Sequence, residues 1–283
     1  MKKYLSLVKF SHTIFAMPFA LIGFFLAVHQ GYDLKWELLV FVVLAMVFAR
    51  NAAMGFNRYL DRFIDKKNPR TASREIPSGQ IKDKYALAFV ITNSILFVAV
   101  TALMNTLVLF LSPVALLVVL GYSYTKRFTA LCHFVLGLGL ALAPIGAYLA
   151  VTAHFSVVPL LFSFLVLFWT AGFDIIYALQ DIDFDKSEDL YSVPVLLGSK
   201  NALLLSSFLH LIAGIIVISA GFVGQFTVLY WLGAGLFISL LTYQHLIVKH
   251  NDLSKVNLAF FTTNGIASLF FACFVIASIF IQI

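Results

Sequence analysis

The stretch VVPLLFSFLVLFWTAGFDIIYALQDIDFDKSEDL, residues 157–190, changes character at its midpoint. Residues 157–180 hold one carboxylate, Asp174, and are otherwise apolar or weakly polar; five carboxylates then crowd into residues 181–189. A run of more than about 20 such residues is long enough to cross the ~30 Å hydrocarbon core of a bilayer as a helix. The acidic tail marks where that helix leaves the membrane.

The rest of the chain repeats this reading. Of its 283 residues 61% are hydrophobic and 11% charged, and the mean hydropathy is +0.98. Soluble domains carry roughly 45–50% apolar residues and about 25% charged ones, so this composition excludes an ordinary soluble protein. Membrane-crossing segments are read at 11–30, 36–60, 84–104, 106–122, 131–152, 157–180, 201–221, 226–248 and 256–282. The fold expected is all-α and polytopic: nine helices in one domain over residues 1–283. The first segment follows Lys2, Lys3 and Lys9 but lacks a small-residue cleavage site, so it is expected to be a retained helix. Pro18, Pro113, Pro144 and Pro159 fall in or near spans, where kinks are expected.

With an inside amino terminus, 16 of the 19 Lys and Arg fall on one side, and Lys35 alone lies opposite. That asymmetry makes the charged loops cytoplasmic and places a multi-pass protein in the inner (plasma) membrane. The net charge of +6 is then a topology signal, with the bilayer as partner and no need to invoke nucleic acid. Cys132 and Cys273 support neither a disulfide nor a metal site and read as packing residues.

Ten of the 13 acidic residues form two clusters at the cytoplasmic ends of the second and sixth spans. Asn57, Asp61 and Asp65 are spaced by four, as are Asp181, Asp185 and Asp189, so each set shares a helix face. Like charges on one face repel, and carboxylates near lipid are costly unless cations join them. Oxygen donors without a Cys or His cluster favour Mg2+, which takes one or two carboxylates and completes its octahedron with water and phosphate. Arg58 and Arg74, with Lys126 and Arg127 in GYSYTKRFT (121–129), supply further countercharge. The chemistry expected is a diphosphate cradle. The 120-residue offset between Asp61/Asp65 and Asp181/Asp185 hints at an internal duplication.

NRYLDRFID (57–65) followed by SREIPSG (73–79) resembles the first signature of the UbiA superfamily of intramembrane prenyltransferases; GFDIIYALQDIDFDKSEDLYSVP (172–194) resembles the second. The resemblance implies a helical bundle around a central cavity capped by cytoplasmic loops. It also implies Mg2+-dependent transfer of an isoprenyl group from its diphosphate, commonly to an aromatic ring. It makes Asn57, Asp61, Asp65, Asp181 and Asp185 metal ligands, and assigns Arg74, Lys126, Arg127 and Tyr124 to the diphosphate. Asp189 stands where the family often has glycine, and Asp183 points off the Asp181/Asp185 face; neither is expected to be a ligand. Lys66, Lys67 and Arg70 are read as topology signals. Asp181, and after it Asp174, are the candidates for orienting the ring or taking its proton.

The segment HTIFAMPFA (12–20) is similar to that of a 4-hydroxybenzoate-like branch associated with menaquinone formation through 1,4-dihydroxy-6-naphthoate. Either acceptor is a hydroxylated aromatic carboxylate, for which Arg50 and His12 are the candidate partners, and polyprenyl diphosphate is the donor. The other histidines read as interfacial or structural. Two other classes are weighed: CDP-alcohol phosphotransferases, whose DGxxAR opening is missing, and transporters, which place ionisable groups near the midplane rather than the rim.

Overall fold

The computed structural model describes residues 2–8 and 15–281. Among these the chain is helical, with no strand; the sole bridge pairs Lys249 with Asp252 in a turn. The helices are α1 (Lys2–Leu7), α2 (Met17–His29), α3 (Trp36–Leu60), α4 (Arg62–Lys67), α5 (Asp83–Ala102), α6 (Thr106–Thr125), α7 (Cys132–Thr152), α8 (Val157–Ala178), α9 (Ile182–Ser187), α10 (Val193–Val223), α11 (Val228–Ile247) and α12 (Asn264–Phe280).

Nine of the described helices match the nine expected spans. Seven spans are long and apolar enough to cross a membrane by that measure alone. The other two fall short for visible reasons: α2 has 13 residues, and α11 carries Thr242, Tyr243, Gln244 and His245 in its last turns. Gly198, at φ 74° and ψ 164°, breaks α10 near its start, so its long apolar portion begins close to the expected residue 201.

Helix α8 is the most enclosed of the seven long spans and packs between α7 and α10. Lipid tails are as apolar as leucine, so membrane helices associate through close packing and buried polar contacts rather than a hydrophobic drive. Both devices are present. A Cβ on Gly23 would sit 2.0 Å from the Pro144 carbonyl oxygen, and one on Gly137 would sit 2.5 Å from that of Leu167. These glycines let α2 approach α7, and α7 approach α8. The polar contact is Asn264: its Oδ1 accepts from Trp169 Nε1 at 2.9 Å and from Gln244 Nε2 at 2.7 Å, joining α8, α11 and α12.

The bundle interior is filled by Phe15, Phe19, Trp169, Phe173 and Phe260, with ring centroids 5.0 to 5.6 Å apart from neighbour to neighbour. The polar cavity therefore lies at one end of the bundle, above this aromatic plug. It is the end at which α3 and α8 both stop.

Candidate active site

Each acidic stripe is expected to ride one continuous helix face, and here the structure departs from the expectation. Helix α3 ends at Leu60, Asp61 takes φ −86° and ψ 1°, and α4 starts at Arg62. Helix α8 tightens into a 3-10 turn over Leu179–Asp181, Asp181 takes φ −111° and ψ 7°, and α9 starts at Ile182. Both middle carboxylates thus occupy the sparsely populated bridge region of backbone space, where many active-site residues sit. The i to i+4 bond survives the first break, with Asp61 N donating to Asn57 O at 2.9 Å and Asp65 N to Asp61 O at 2.7 Å. The two clusters are built alike: a membrane helix, a carboxylate at the corner, and a short helix bearing the next carboxylate.

These corners bound a cavity of about 200 Å³. Asn57, Asp61, Asp65, Asp174, Asp181 and Asp185 all line it, with Arg70, Arg74 and Lys126 among them. Asp61 is 2% exposed and accepts from Lys126 Nζ at 2.5 Å, Arg127 Nη2 at 2.8 Å and Asn57 Nδ2 at 3.3 Å. Asp65 receives both bonds of Arg74 Nη1, at 2.7 and 2.9 Å. Gly79, the last residue of IPSG, takes φ 76°, a left-handed turn that glycine adopts freely and that folds the loop carrying Arg74 back on itself.

Arg70 departs from its reading as a topology signal. Its Nε donates to Asp181 Oδ1 at 3.0 Å, its Nη2 forms a short ion pair with Asp181 Oδ2, and its Nη1 donates to the Tyr177 hydroxyl at 3.1 Å. Asn68 Nδ2 adds a bond to Asp181 Oδ1 at 3.3 Å. Burial works against the charge of Arg70, yet the hydrogen bonds and charge of Asp181 hold the guanidinium above its ordinary pKa. Lys67 stays peripheral, pairing at 2.6 Å with Glu188 while 62% exposed.

Other expected residues lie off the cavity wall. Tyr124 is 47% exposed, beside Phe56 and the Arg127 guanidinium. Arg50, on α3, donates to the Val8 carbonyl at 3.4 Å. Arg58 is 4% exposed, and its Nε and Nη1 are buried without a hydrogen-bond partner. His12 lies outside the described residues. Asp183 is exposed, and Asp189 takes φ 52°, a conformation glycine prefers and aspartate tolerates.

Sequence reasoning missed Asn68, Tyr122, Tyr177 and His133, which also line the cavity. Tyr177 carried a signal, since it precedes Asp181 by four residues. His133 carried none: its partner Asp174 is 41 residues away, at 2.7 Å.

Among the described residues no group of three or more His, Cys, Asp and Glu is gathered tightly enough to hold a metal, because Lys and Arg occupy the space between the carboxylates. The donor set nonetheless suits a hard cation. Every candidate ligand offers oxygen, cavity-lining carboxylates outnumber cavity-lining cations, and Asp185 has no ion pair among the described residues.

A bundle of membrane-length helices whose polar chamber opens at one rim, with carboxylates and cations interleaved, defines an α-helical integral membrane enzyme that handles a charged head group beside an apolar medium. Residues 16–278 match the UbiA prenyltransferase family, and the chain belongs to it: it is a prenyltransferase. It is 31% identical over 247 residues to a 4-hydroxybenzoate octaprenyltransferase of Vesicomyosocius okutanii, covering 87% of this chain and 89% of that one. With the enzyme of the same name from Aliivibrio fischeri strain MJ11 it shares 29% over 239 residues, covering 83% and 82%. The apo structure of a UbiA homolog from Aeropyrum pernix K1 superposes with a TM-score of 0.81 at 31% identity, covering 95% of this chain and 97% of that one. A UbiA homolog from Archaeoglobus fulgidus bound to DMAPP and Mg2+ shares the fold, with a TM-score of 0.74 at 23% identity over 99% and 100% of the two chains.

Proposed function

We propose that this prenyltransferase moves a polyprenyl group from polyprenyl diphosphate to a hydroxylated aromatic carboxylate, 4-hydroxybenzoate or 1,4-dihydroxy-6-naphthoate, in the formation of respiratory quinones. The site would face the cytoplasm from the inner (plasma) membrane. The observation that carries this reading is the pair of like-built acidic corners facing one cavity, interleaved with Arg70, Arg74, Lys126 and Arg127. A diphosphate has the charge to take over those cations, and the apolar bundle beside the cavity suits an isoprenoid. The 4-hydroxybenzoate octaprenyltransferase relatives support the acceptor class.

Asn57, Asp61, Asp65, Asp181 and Asp185 would hold Mg2+, which when bound neutralises charge on the leaving diphosphate. Arg74 and Lys126 reach the diphosphate from the cavity wall; Arg58, Arg127 and Tyr124 complete the proposed set from behind it. As the allylic C–O bond breaks, its electron pair leaves with the diphosphate, and cations already in place stabilise that charge without reorganising. The ring carbon forms the new C–C bond, and the ring proton passes to a carboxylate, Asp181 or Asp174. Arg50, two turns from Asn57 along α3, and His12 are proposed for the acceptor carboxylate. The aromatic plug of Phe15, Phe173 and Phe260 below would keep water from the allylic cation.

The test is turnover by the purified protein with Mg2+, polyprenyl diphosphate and each acceptor in turn, read by the mass of the prenylated ring. Product from one acceptor selects it; no product from any hydroxyaromatic acid overturns the reading.

A further inference from the structure

The cavity carboxylates differ in what holds them. Asp61, Asp65 and Asp181 each accept from at least one cation, and Asp181 accepts from three nitrogen donors in all. Both oxygens of each of these three are already taken by donors, whereas a proton acceptor needs an oxygen within reach of the ring. Asp174 has no cation of that kind. It lies seven residues before Asp181 on α8, roughly 10 Å deeper at 1.5 Å per residue, its side chain 22% exposed to the cavity.

Its partner is His133, whose side chain is 3% exposed and bonded at both ring nitrogens. Val193 N, in the first turn of α10, lies 3.2 Å from His133 Nε2. A backbone N–H can only donate, so Nε2 is the acceptor and the ring proton sits on Nδ1. That Nδ1–H donates to Asp174 Oδ2 at 2.7 Å. The other oxygen, Oδ1, makes no hydrogen bond among the described residues and is free for a ligand. The imidazole thus fixes the carboxylate by one oxygen and leaves the other unbonded.

We propose that Asp174, oriented by His133, is the group that accepts the proton the aromatic ring loses, and that Asp181 is confined to binding. This rests on the prenyl-transfer reading above. In the step, the ring carbon bonded to the new prenyl group releases its proton to Asp174 Oδ1, and the C–H electron pair restores the aromatic sextet. Asp174 is the catalytic residue and His133 a positioning residue. The geometry puts the acceptor ring deeper than the diphosphate, with Tyr122, Leu136 and Tyr177 beside it on the cavity wall.

The test compares wild type with Asp174→Asn, His133→Leu and His133→Gln, using acceptor deuterated at the carbon that is prenylated. Positioned general bases contribute about 10²–10⁴-fold, so Asp174→Asn should lose kcat on that scale while KM for polyprenyl diphosphate holds. A primary isotope effect absent from wild type should then appear, because proton removal has become the slow step. Glutamine offers an amide N–H to Asp174 and a carbonyl to Val193 N, so His133→Gln should recover most of the activity that His133→Leu loses. A slowed Asp174→Asn with no isotope effect, or one with unaltered kcat, overturns the proposal. Should asparagine at 174 prevent accumulation in the membrane, His133→Leu carries the same isotope readout. Failure of wild type to prenylate any hydroxyaromatic acid is a different result and refutes the functional reading itself.

Discussion

Replacing Asp61 by Asn should separate what the cavity does for stability from what it does for catalysis. Asp61 is 2% exposed and holds both Lys126 and Arg127, whose side chains are 30% and 28% exposed. Removing one member of a fully buried pair costs about 3–5 kcal/mol, because the partner charge is left uncompensated. Here the stranded cations can turn toward water, and screening brings the expected cost down to roughly 1–3 kcal/mol. For a chain of this size that corresponds to a fall in melting temperature of roughly 2–6 °C. Asparagine keeps the shape and one acceptor oxygen, so the fold should survive. Turnover should fall by at least about 10²-fold, the scale on which preorganised charge acts on a leaving group. The assay is thermal unfolding in detergent alongside product formation at saturating Mg2+ and polyprenyl diphosphate. The double variant Asp61→Asn/Lys126→Met should regain part of the melting temperature, since the stranded ammonium is gone, and none of the turnover. Near-wild-type turnover in Asp61→Asn would refute the placement of this corner in the reaction. An unchanged melting temperature would refute the buried triad.

Arg70→Gln should raise KM for polyprenyl diphosphate and lower kcat, whereas Lys66→Gln, on α4 just before it, should leave both near wild type; steady-state kinetics on the pair checks the reassignment of Arg70. Arg58→Met tests the buried guanidinium: an unpaired buried charge costs more than a packed thioether, so the variant should melt higher by the equivalent of about 1 kcal/mol or more while KM for the diphosphate rises. A higher melting temperature with unchanged KM would remove Arg58 from the diphosphate set. Gly23→Ala drives a methyl into the Pro144 carbonyl, 2.0 Å away, and should cost about 1–3 kcal/mol by forcing α2 off α7; thermal unfolding reads it. Removing divalent cations with a chelator should abolish turnover, and adding Mg2+ should restore it, with Asp185→Asn shifting the Mg2+ dependence to higher concentration.

How far the sequence could be read follows the range of the forces involved. Spans and their ends are local: apolar length fixes the helices, and the change at residue 181 marks a helix end wherever the helix lies in the bundle. The carboxylates were legible for the same reason, since spacing by four puts Asn57, Asp61 and Asp65 together without tertiary information. What the spacing concealed was the corner, because an i to i+4 pattern reads alike whether the helix continues or breaks at its middle residue. Cation assignments were less legible still. Lys66, Lys67 and Arg70 are near neighbours in sequence and share one charge sign, yet Arg70 meets a carboxylate 111 residues away while Lys67 meets Glu188 at the surface. Composition cannot divide those roles; only the approach of the α4 loop to the end of α8 does. His133 is the extreme case. On an apolar helix it resembles any packing histidine, and it becomes part of the site because α7 lies against α8 at Asp174 and against the start of α10 at Val193. A residue that donates to one element and accepts from another is defined by their packing, so its role emerges only once three helices are in place.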